Sequence, residues 1–275
     1  MTQNPLQSYF RQTKIYVKLP SNGVYSSPGA YQGDLTNMPV FGMTGMDEIL
    51  MKTPDALFTS ESTVQVIESC CPFIKNGWEV SNLDLDLILA SIRIATFGNI
   101  LEVTHNCTSC NTENDYSLDV SNIIDHFLSY QYDNMLVLDK LTVKLRPLTY
   151  RQSTDFSLKN YEIQQKFAQV KLLDDVAQQQ TVISELFKLA NQLQFDIILA
   201  CIESIDTGLI VVKELQFIAE WLNNSDADIV AGIKDRINKM KELATIPSYK
   251  VHCEECNAEN SIIIELDQAS FFARA

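Results

Sequence analysis

Four cysteines stand at spacings suited to metal chemistry. One pair lies in Cys107-Thr108-Ser109-Cys110-Asn111-Thr112-Glu113-Asn114, the other in Cys253-Glu254-Glu255-Cys256-Asn257-Ala258-Glu259-Asn260. Both segments read C-x-x-C-N-x-E-N. A C-x-x-C turn offers two sulfurs to one cation, and two such turns complete a tetrahedral thiolate shell of the kind zinc prefers. That shell leaves no position for water or substrate, so the expected ion is structural. The expectation is one Zn2+ per chain, held by Cys107, Cys110, Cys253 and Cys256. The asparagine after each second cysteine suits a backbone position with positive φ. Amide groups freed in such a turn can hydrogen-bond the thiolates and offset their charge. A cation joining such remote pairs closes a long loop, an effect on the order of 4–5 kcal/mol in the chain-entropy account of cross-links.

Other uses of the cysteines fit less well. A redox C-x-x-C opens a helix, whose N-terminus lowers the thiol pKa; here polar turn residues and a strand pattern follow each pair. A disulfide framework sits badly with seven cysteines and with a chain made in a cytosol. A nucleic-acid ribbon needs basic residues near its knuckles, where this chain has Glu113, Asp115, Glu254, Glu255 and Glu259. His105 and His252 flank the pairs and are expected outside a shell that four thiolates already fill. Cys70, Cys71 and Cys201 lie in apolar helical surroundings and read as core filling.

No catalytic signature accompanies the cysteines. The chain has no nucleophile elbow, P-loop, dinucleotide fingerprint or HExxH. His126, in Ile123-Ile124-Asp125-His126-Phe127, reads as a surface or capping residue. Asp84 and Asp86, two positions apart, fall on different helix faces and read as first-turn charges favoured by the helix dipole. The expectation is a non-enzymatic chain with no small-molecule substrate.

The elements that must carry the cysteines follow from periodicity and punctuation. Ile15, Val17 and Leu19 alternate as a short strand before the turn Pro20-Ser21-Asn22-Gly23. Thr44 before Asp47 and Glu48 marks an N-cap, and helices are expected over Gly45–Lys52, Ser60–Cys71 and Leu83–Thr96, the last ending before Gly98. Ile100–Val103 and Asp115–Val120 read as strands entering and leaving the first cysteine turn. A helix near Val120–Tyr130, a hairpin over Met135–Leu145 about Asp139-Lys140, and a capping box of Thr149 with Gln152 come next. Gln178–Leu193, Gln194–Ile205, Val211–Leu222 and Asp226–Leu243 read as helices, and Ile262–Leu266 as a strand after the second cysteine turn.

The chain has 275 residues, 46% of them apolar and 20% charged, enough for a packed core. No apolar run reaches membrane-spanning length, and Leu83–Phe97 is broken by Asp84, Asp86 and Arg93. The first residues lack the pattern of a signal peptide, so folding in a cytosol is expected. The net charge of −14 disfavours a phosphate backbone as partner. Arg11, Lys14 and Lys18 against Asp34 make residues 1–35 a mildly basic arm, expected to pack on the body or on a partner.

Leu83-Asp84-Leu85-Asp86-Leu87-Ile88-Leu89-Ala90 matches Leu193-Gln194-Phe195-Asp196-Ile197-Ile198-Leu199-Ala200. Each stretch continues through Ile92 or Ile202 to Gly98 or Gly208, and a cysteine pair follows later in each half. The reading is an α+β, mostly helical fold of internally duplicated helix-plus-zinc-knuckle units, joined by one shared four-cysteine zinc site. The expected division is an arm over 1–35, a first helical half with its knuckle over 36–122, and a second over 123–275.

One ordered set of segments carries a resemblance. It runs Lys18-Leu19-Pro20-Ser21-Asn22-Gly23-Val24-Tyr25, Met43-Thr44-Gly45-Met46-Asp47-Glu48-Ile49-Leu50, Ile92-Arg93-Ile94-Ala95-Thr96-Phe97-Gly98-Asn99, and then Cys107-Thr108-Ser109-Cys110. The set resembles the baseplate hub assembly proteins of T-even-like contractile-tailed bacteriophages, over residues of about 14–120 and more loosely through the second cysteine pair. The resemblance implies a structural or assembly component of a tail baseplate. It would act in host cytoplasm, partnered by other baseplate hub proteins, and could remain in the virion tail. A cytosolic chaperone or adaptor that caps a partner and leaves the particle is the alternative, and an enzyme on a metal-stapled scaffold is a third reading.

Overall fold

A computed structural model describes residues 4–52, 60–129, 132–170, 175–243 and 245–264. In chain order the elements are β1 (Thr13–Val17), β2 (Met38–Phe41), α1 (Gly45–Met51), α2 (Glu61–Cys70), α3 (Asn82–Phe97), β3 (Ile100–Asn106), β4 (Glu113–Asp119) and α4 (Ser121–Ser129). There follow β5 (Met135–Leu138), β6 (Leu141–Leu145), α5 (Tyr150–Val170), α6 (Val176–Ala200), β7 (Ile202–Asp206), β8 (Val211–Val212), α7 (Leu215–Asn223) and α8 (Ala227–Leu243). The described chain closes with β9 (Tyr249–His252) and β10 (Glu259–Ile262). Two compact units result, Met1–Gln131 with Ala244–Ala275, and Tyr132–Leu243. These units divide the chain differently from the linear halves expected over 36–122 and 123–275. The stretch bearing the second knuckle returns to the first unit, because Ile246, Tyr249, Val251, Ile262 and Ile264 pack into the same core as α3.

α3 organises the first unit. Its apolar residues run all round the helix, the pattern of a helix buried on every side, and Leu87, Ile88, Ala90 and Ile92 are fully buried. Around it pack Leu19, Met38, Val40, Ile67, Cys70, Cys71, Ile123 and Phe127. Ser81 caps its start by accepting from Leu83 N, and Gly98 ends it at φ +87, a conformation costly for other residues. Arg93 is buried just before the last turn, and its guanidinium reaches past the helix end to donate to the carbonyls of Gly98 and Ile100. A cation near the C-terminal end suits the helix dipole. Arg93 thereby fixes the turn that sends the chain into β3. Thr96 Oγ1 accepts from Met43 N, and a Cβ on Gly42 would stand 2.8 Å from Ala95 O. The segments that carry the family resemblance thus have mechanical roles around one helix.

The N-terminal arm is tied to this body. β1 pairs antiparallel with β2, with an irregularity between Thr13 and Ile15. Arg11 donates to Gly42 O at 2.8 Å, Ser69 O at 2.6 Å and Asp47 Oδ2 at 3.3 Å, and its guanidinium lies over the Phe41 ring. Thr44 is the expected N-cap of α1, and Asp47 joins it in a reciprocal capping box. In the turn after β1, Asn22 and Gly23 have φ of +49 and +74. Ser21 N donates to Asp84 Oδ1 at 2.9 Å, and Ser21 Oγ donates to Asp84 Oδ2. Asp84 therefore departs from the expectation of a plain first-turn charge. It lies in the first turn of α3, but it is buried and anchors the Ser21 loop. Asp86, on another face, is half-buried.

The second unit holds an antiparallel sheet in the order β5-β6-β7-β8, covered by α6, α7 and α8. Val143, Leu145, Ile202 and Ile205 from the sheet meet Ile198, Ile218, Leu222, Ile233 and Ile237 from the helices. The β5–β6 hairpin turns at Asp139 with φ +46, as expected from its position. Thr149 and Gln152 form the expected reciprocal box at the start of α5. Two expectations are corrected here. The helices expected over Gln178–Leu193 and Gln194–Ile205 are one helix, α6, followed by a strand. The helix expected over Val211–Leu222 begins as β8 and becomes helical only from Leu215. Ile202 to Ile205 are rich in β-branched residues and pair with β6, so tertiary pairing decides their state. The strand expected over Ile262–Leu266 is β10, Glu259–Ile262, and residues 265–266 lie outside the described residues.

The internal repeat does not extend to the helices. Leu83–Ala90 opens α3, whereas Leu193–Ala200 closes α6; Ile92 is mid-helix, whereas Ile202 begins a strand. Two helical segments of similar apolar spacing, one buried on all sides and one half-buried, account for the match.

Burial pushes the Asp84 carboxyl up to about 6, against the hydrogen bonds from Ser21. Between an unfolded value near 4 and the folded value, the native state holds a proton that the unfolded chain has lost. Stability of the first unit therefore falls as pH rises through that window. Asp84→Asn should remove a difference on the order of 3 kcal/mol across it. Denaturant unfolding between pH 4 and pH 7, followed through Trp78 in a Trp221→Phe background, should show a flatter profile for the variant than for the parent.

Candidate metal centre

Each cysteine pair sits at the tip of a two-stranded hairpin. β3 and β4 pair in register from Ile100↔Asp119 to Asn106↔Glu113, and β9 and β10 from Tyr249↔Ile262 to His252↔Glu259. The tips are built alike. Cys107 N donates to Thr112 O at 2.9 Å and Asn111 N to Cys107 O at 2.9 Å; Cys253 N donates to Ala258 O at 3.0 Å and Asn257 N to Cys253 O at 2.9 Å. Asn111 and Asn257 have φ of +60 and +56, the left-handed conformation expected after each second ligand.

The two tips meet. Their four sulfurs all lie within 4.8 Å of one another. Cys107 Sγ approaches Cys256 Sγ at 3.6 Å, and Cys110 Sγ approaches Cys253 Sγ at 3.6 Å. Four thiolates around a Zn2+ at about 2.3 Å would stand roughly 3.8 Å apart, so this spacing fits one tetrahedral cation. Cys107 and Cys253 are buried, while Cys110 and Cys256 face solvent. All four expected ligand residues are brought together. His105 and His252 are not members of the cluster. Cys70, Cys71 and Cys201 are buried core thiols, and burial raises the pKa of each. His126 has a structural contact, its Nε2 lying 3.1 Å from Thr245 O.

Two further residues hold the tips against each other. Asn260 accepts at Oδ1 from Thr108 N at 3.0 Å and Thr108 Oγ1 at 2.9 Å, and its Nδ2 donates to Cys107 Sγ at 3.5 Å. Asn114 mirrors it from the other side, accepting from Glu254 N at 3.0 Å and donating to Cys253 Sγ at 3.5 Å. Each hairpin supplies an asparagine that serves the other hairpin's first cysteine. Both are buried, and their amides are satisfied only when the tips face each other. Sequence reasoning explained the asparagine following each pair but not these. The signal was present, since the last Asn of C-x-x-C-N-x-E-N recurs in both copies.

The electrostatics favour thiolates unequally. Backbone N–H groups of Cys110 and Ser109, with Asn260, lower the Cys107 thiol to about 6. Cys253 is lowered chiefly by the Cys256 N–H. Although the Ala258 N–H favours its thiolate, hydrogen bonds to Cys110, Cys107 and Cys253 hold Cys256 as a thiol, up to about 12. Four thiolates at this separation repel one another, and a divalent cation lets all of them ionise together.

The chain is thus an α+β protein whose paired cysteine hairpins form a closed four-sulfur site able to hold a metal ion. A family model described as "T4 bacteriophage base plate protein" matches residues 44–273, and the chain belongs to that family. No curated protein and no solved structure matches the chain.

Asn114→Ala and Asn260→Ala each remove a hydrogen bond to a ligand sulfur and a brace between the tips. Each is expected to weaken metal binding by about 10- to 100-fold while leaving the four cysteines in place. Competition with a chromogenic chelator reads the change.

Proposed function

We propose that this chain is a non-enzymatic structural component of the phage tail baseplate, working in its hub region and docking other tail proteins there. One structural Zn2+, bound by Cys107, Cys110, Cys253 and Cys256, closes its first unit. The observation that carries the reading is that the family match over 44–273 takes in both cysteine hairpins. Sulfur-only tetrahedral sites select zinc or iron–sulfur chemistry, and zinc suits a site whose work is to hold two hairpins together. With all four positions taken by protein, the ion has no place for a reacting ligand. The acidic chain, with its net charge of −14, suits protein rather than nucleic-acid partners. Assembly would take place in host cytoplasm, and the finished protein would reside in the tail baseplate.

Mass spectrometry of purified, cross-linked particles is expected to find this chain joined to hub proteins. Its presence in assembly intermediates alone, with none in finished particles, would favour the transient chaperone instead. Native mass measurement is expected to show one zinc per polypeptide. The pair Cys110→Ser with Cys256→Ser should release it and lower the melting temperature of the first unit; an unchanged melting temperature after metal loss would count against the staple.

A further inference from the structure

The second unit carries a feature that the baseplate reading does not use. α5 and α6 form an antiparallel hairpin along a narrow seam, with Ile163, Val170, Leu186 and Leu193 buried between them and Phe167 edge-on to Phe187 at 5.4 Å. Most other described positions between residues 157 and 192 are exposed. Along one side of the hairpin runs an open groove of about 300 Å³. Its floor is Val170, Val182, Leu186 and Leu189, and its rims carry Lys166 and Glu185. Leu189 is 49% exposed. Neither rim charge makes an ion pair among the described residues.

We infer that this face is a two-fold interface between two copies of the chain, giving an antiparallel four-helix bundle. The charges are self-complementary. A two-fold axis parallel to the helices keeps each helix's direction and lays α5 of one copy over α6 of the other. Every neighbouring pair in the bundle is then antiparallel. Height along the axis is preserved, so Lys166 of one copy stands over Glu185 of the other, and the reverse pair forms by symmetry. A second such pair lies farther along, with Glu162 and Lys188, of opposite sign, beside the two rims. Lys159 precedes Lys166 by one heptad, and Asp196 follows Glu185 by eleven residues; both spacings return to the same helix face. The operation that pairs Lys166 with Glu185 therefore also brings Lys159 towards Asp196. A single foreign helix in the groove would need its own matching charges, whereas a second copy supplies them by symmetry.

The area suffices. α5 has 21 residues, a length of about 31 Å, and two helices side by side are about 20 Å wide. The face is then roughly 600 Å² per copy, about 1,200 Å² in total, at the lower end of specific interfaces.

Sedimentation equilibrium of the full chain at micromolar concentration is expected to return twice the chain mass. Lys166→Glu and Glu185→Lys each set like charges face to face and should weaken the dimer by about tenfold or more. Mixing the two variants should restore it as a heterodimer. The two substituted positions then meet with opposite charges, and the unmutated Lys166 of one copy meets the unmutated Glu185 of the other. Circular dichroism should show unchanged helix content in both. A parent chain that sediments as a monomer, or a dimer indifferent to both substitutions and to their mixing, would overturn the inference.

Discussion

The approach of two hairpin tips is the contact on which the first unit depends. Cys107 and Cys256 are separated by 149 positions, and Cys110 and Cys253 by 143, yet their sulfurs stand 3.6 Å apart. Nothing local brings them there. Each tip is preformed by its own hairpin, by a left-handed asparagine and by amides that point at sulfur. The tips are then joined by Asn114 and Asn260, each anchored in one hairpin and bonded to the other. This reciprocity makes the cluster a property of the pair. Four thiol groups so close would repel once ionised, and a cation shared among them would turn that repulsion into a bond between the two ends of the unit.

The rest of the first unit can be understood as support for those tips. α3 is a rigid axle buried on all sides. Arg93 donates to the Gly98 and Ile100 carbonyls just past its end and so aims β3, while Asp84 near its start holds the Ser21 loop. Arg11 draws the N-terminal segment onto α1 and α2. These charges lie inside or against the core because each is met by carbonyls, hydroxyls or an opposite charge, which offsets the cost of removing it from water. The second unit enters as an insertion between β4 with its following helix and β9. Its own sheet and helices give it a separate core, so the two hairpins can meet without sharing packing residues with it.

Much of this was legible in local pattern. The two cysteine turns, the asparagines after them, the cap at Thr44, the box at Thr149 and the hairpin at Asp139 are decided within a few residues, and these local features formed where the pattern put them. The failures share one cause. Ile202–Ile205 reads as a helical continuation of α6, but β6 offers a ladder and its β-branched residues take it. Asp84 reads as a plain first-turn charge until the Ser21 loop folds over it. The apparent repeat rests on apolar spacing, and two helices of unrelated position produce the same spacing.

The amino-acid sequence by itself determined the donor set, its likeness between the two knuckles and the turn chemistry that presents it, because ligand type, positive-φ residues and capping act over three to five positions. Only the tertiary structure decided that residues 245–264 pack into the same core as α3, that Asn114 and Asn260 brace opposite tips, and which side of the α5–α6 hairpin is left open. Those outcomes depend on which distant surfaces meet. A one-dimensional pattern records that a face is apolar or that an amide needs a partner, and the packing of the whole chain selects the one that answers it.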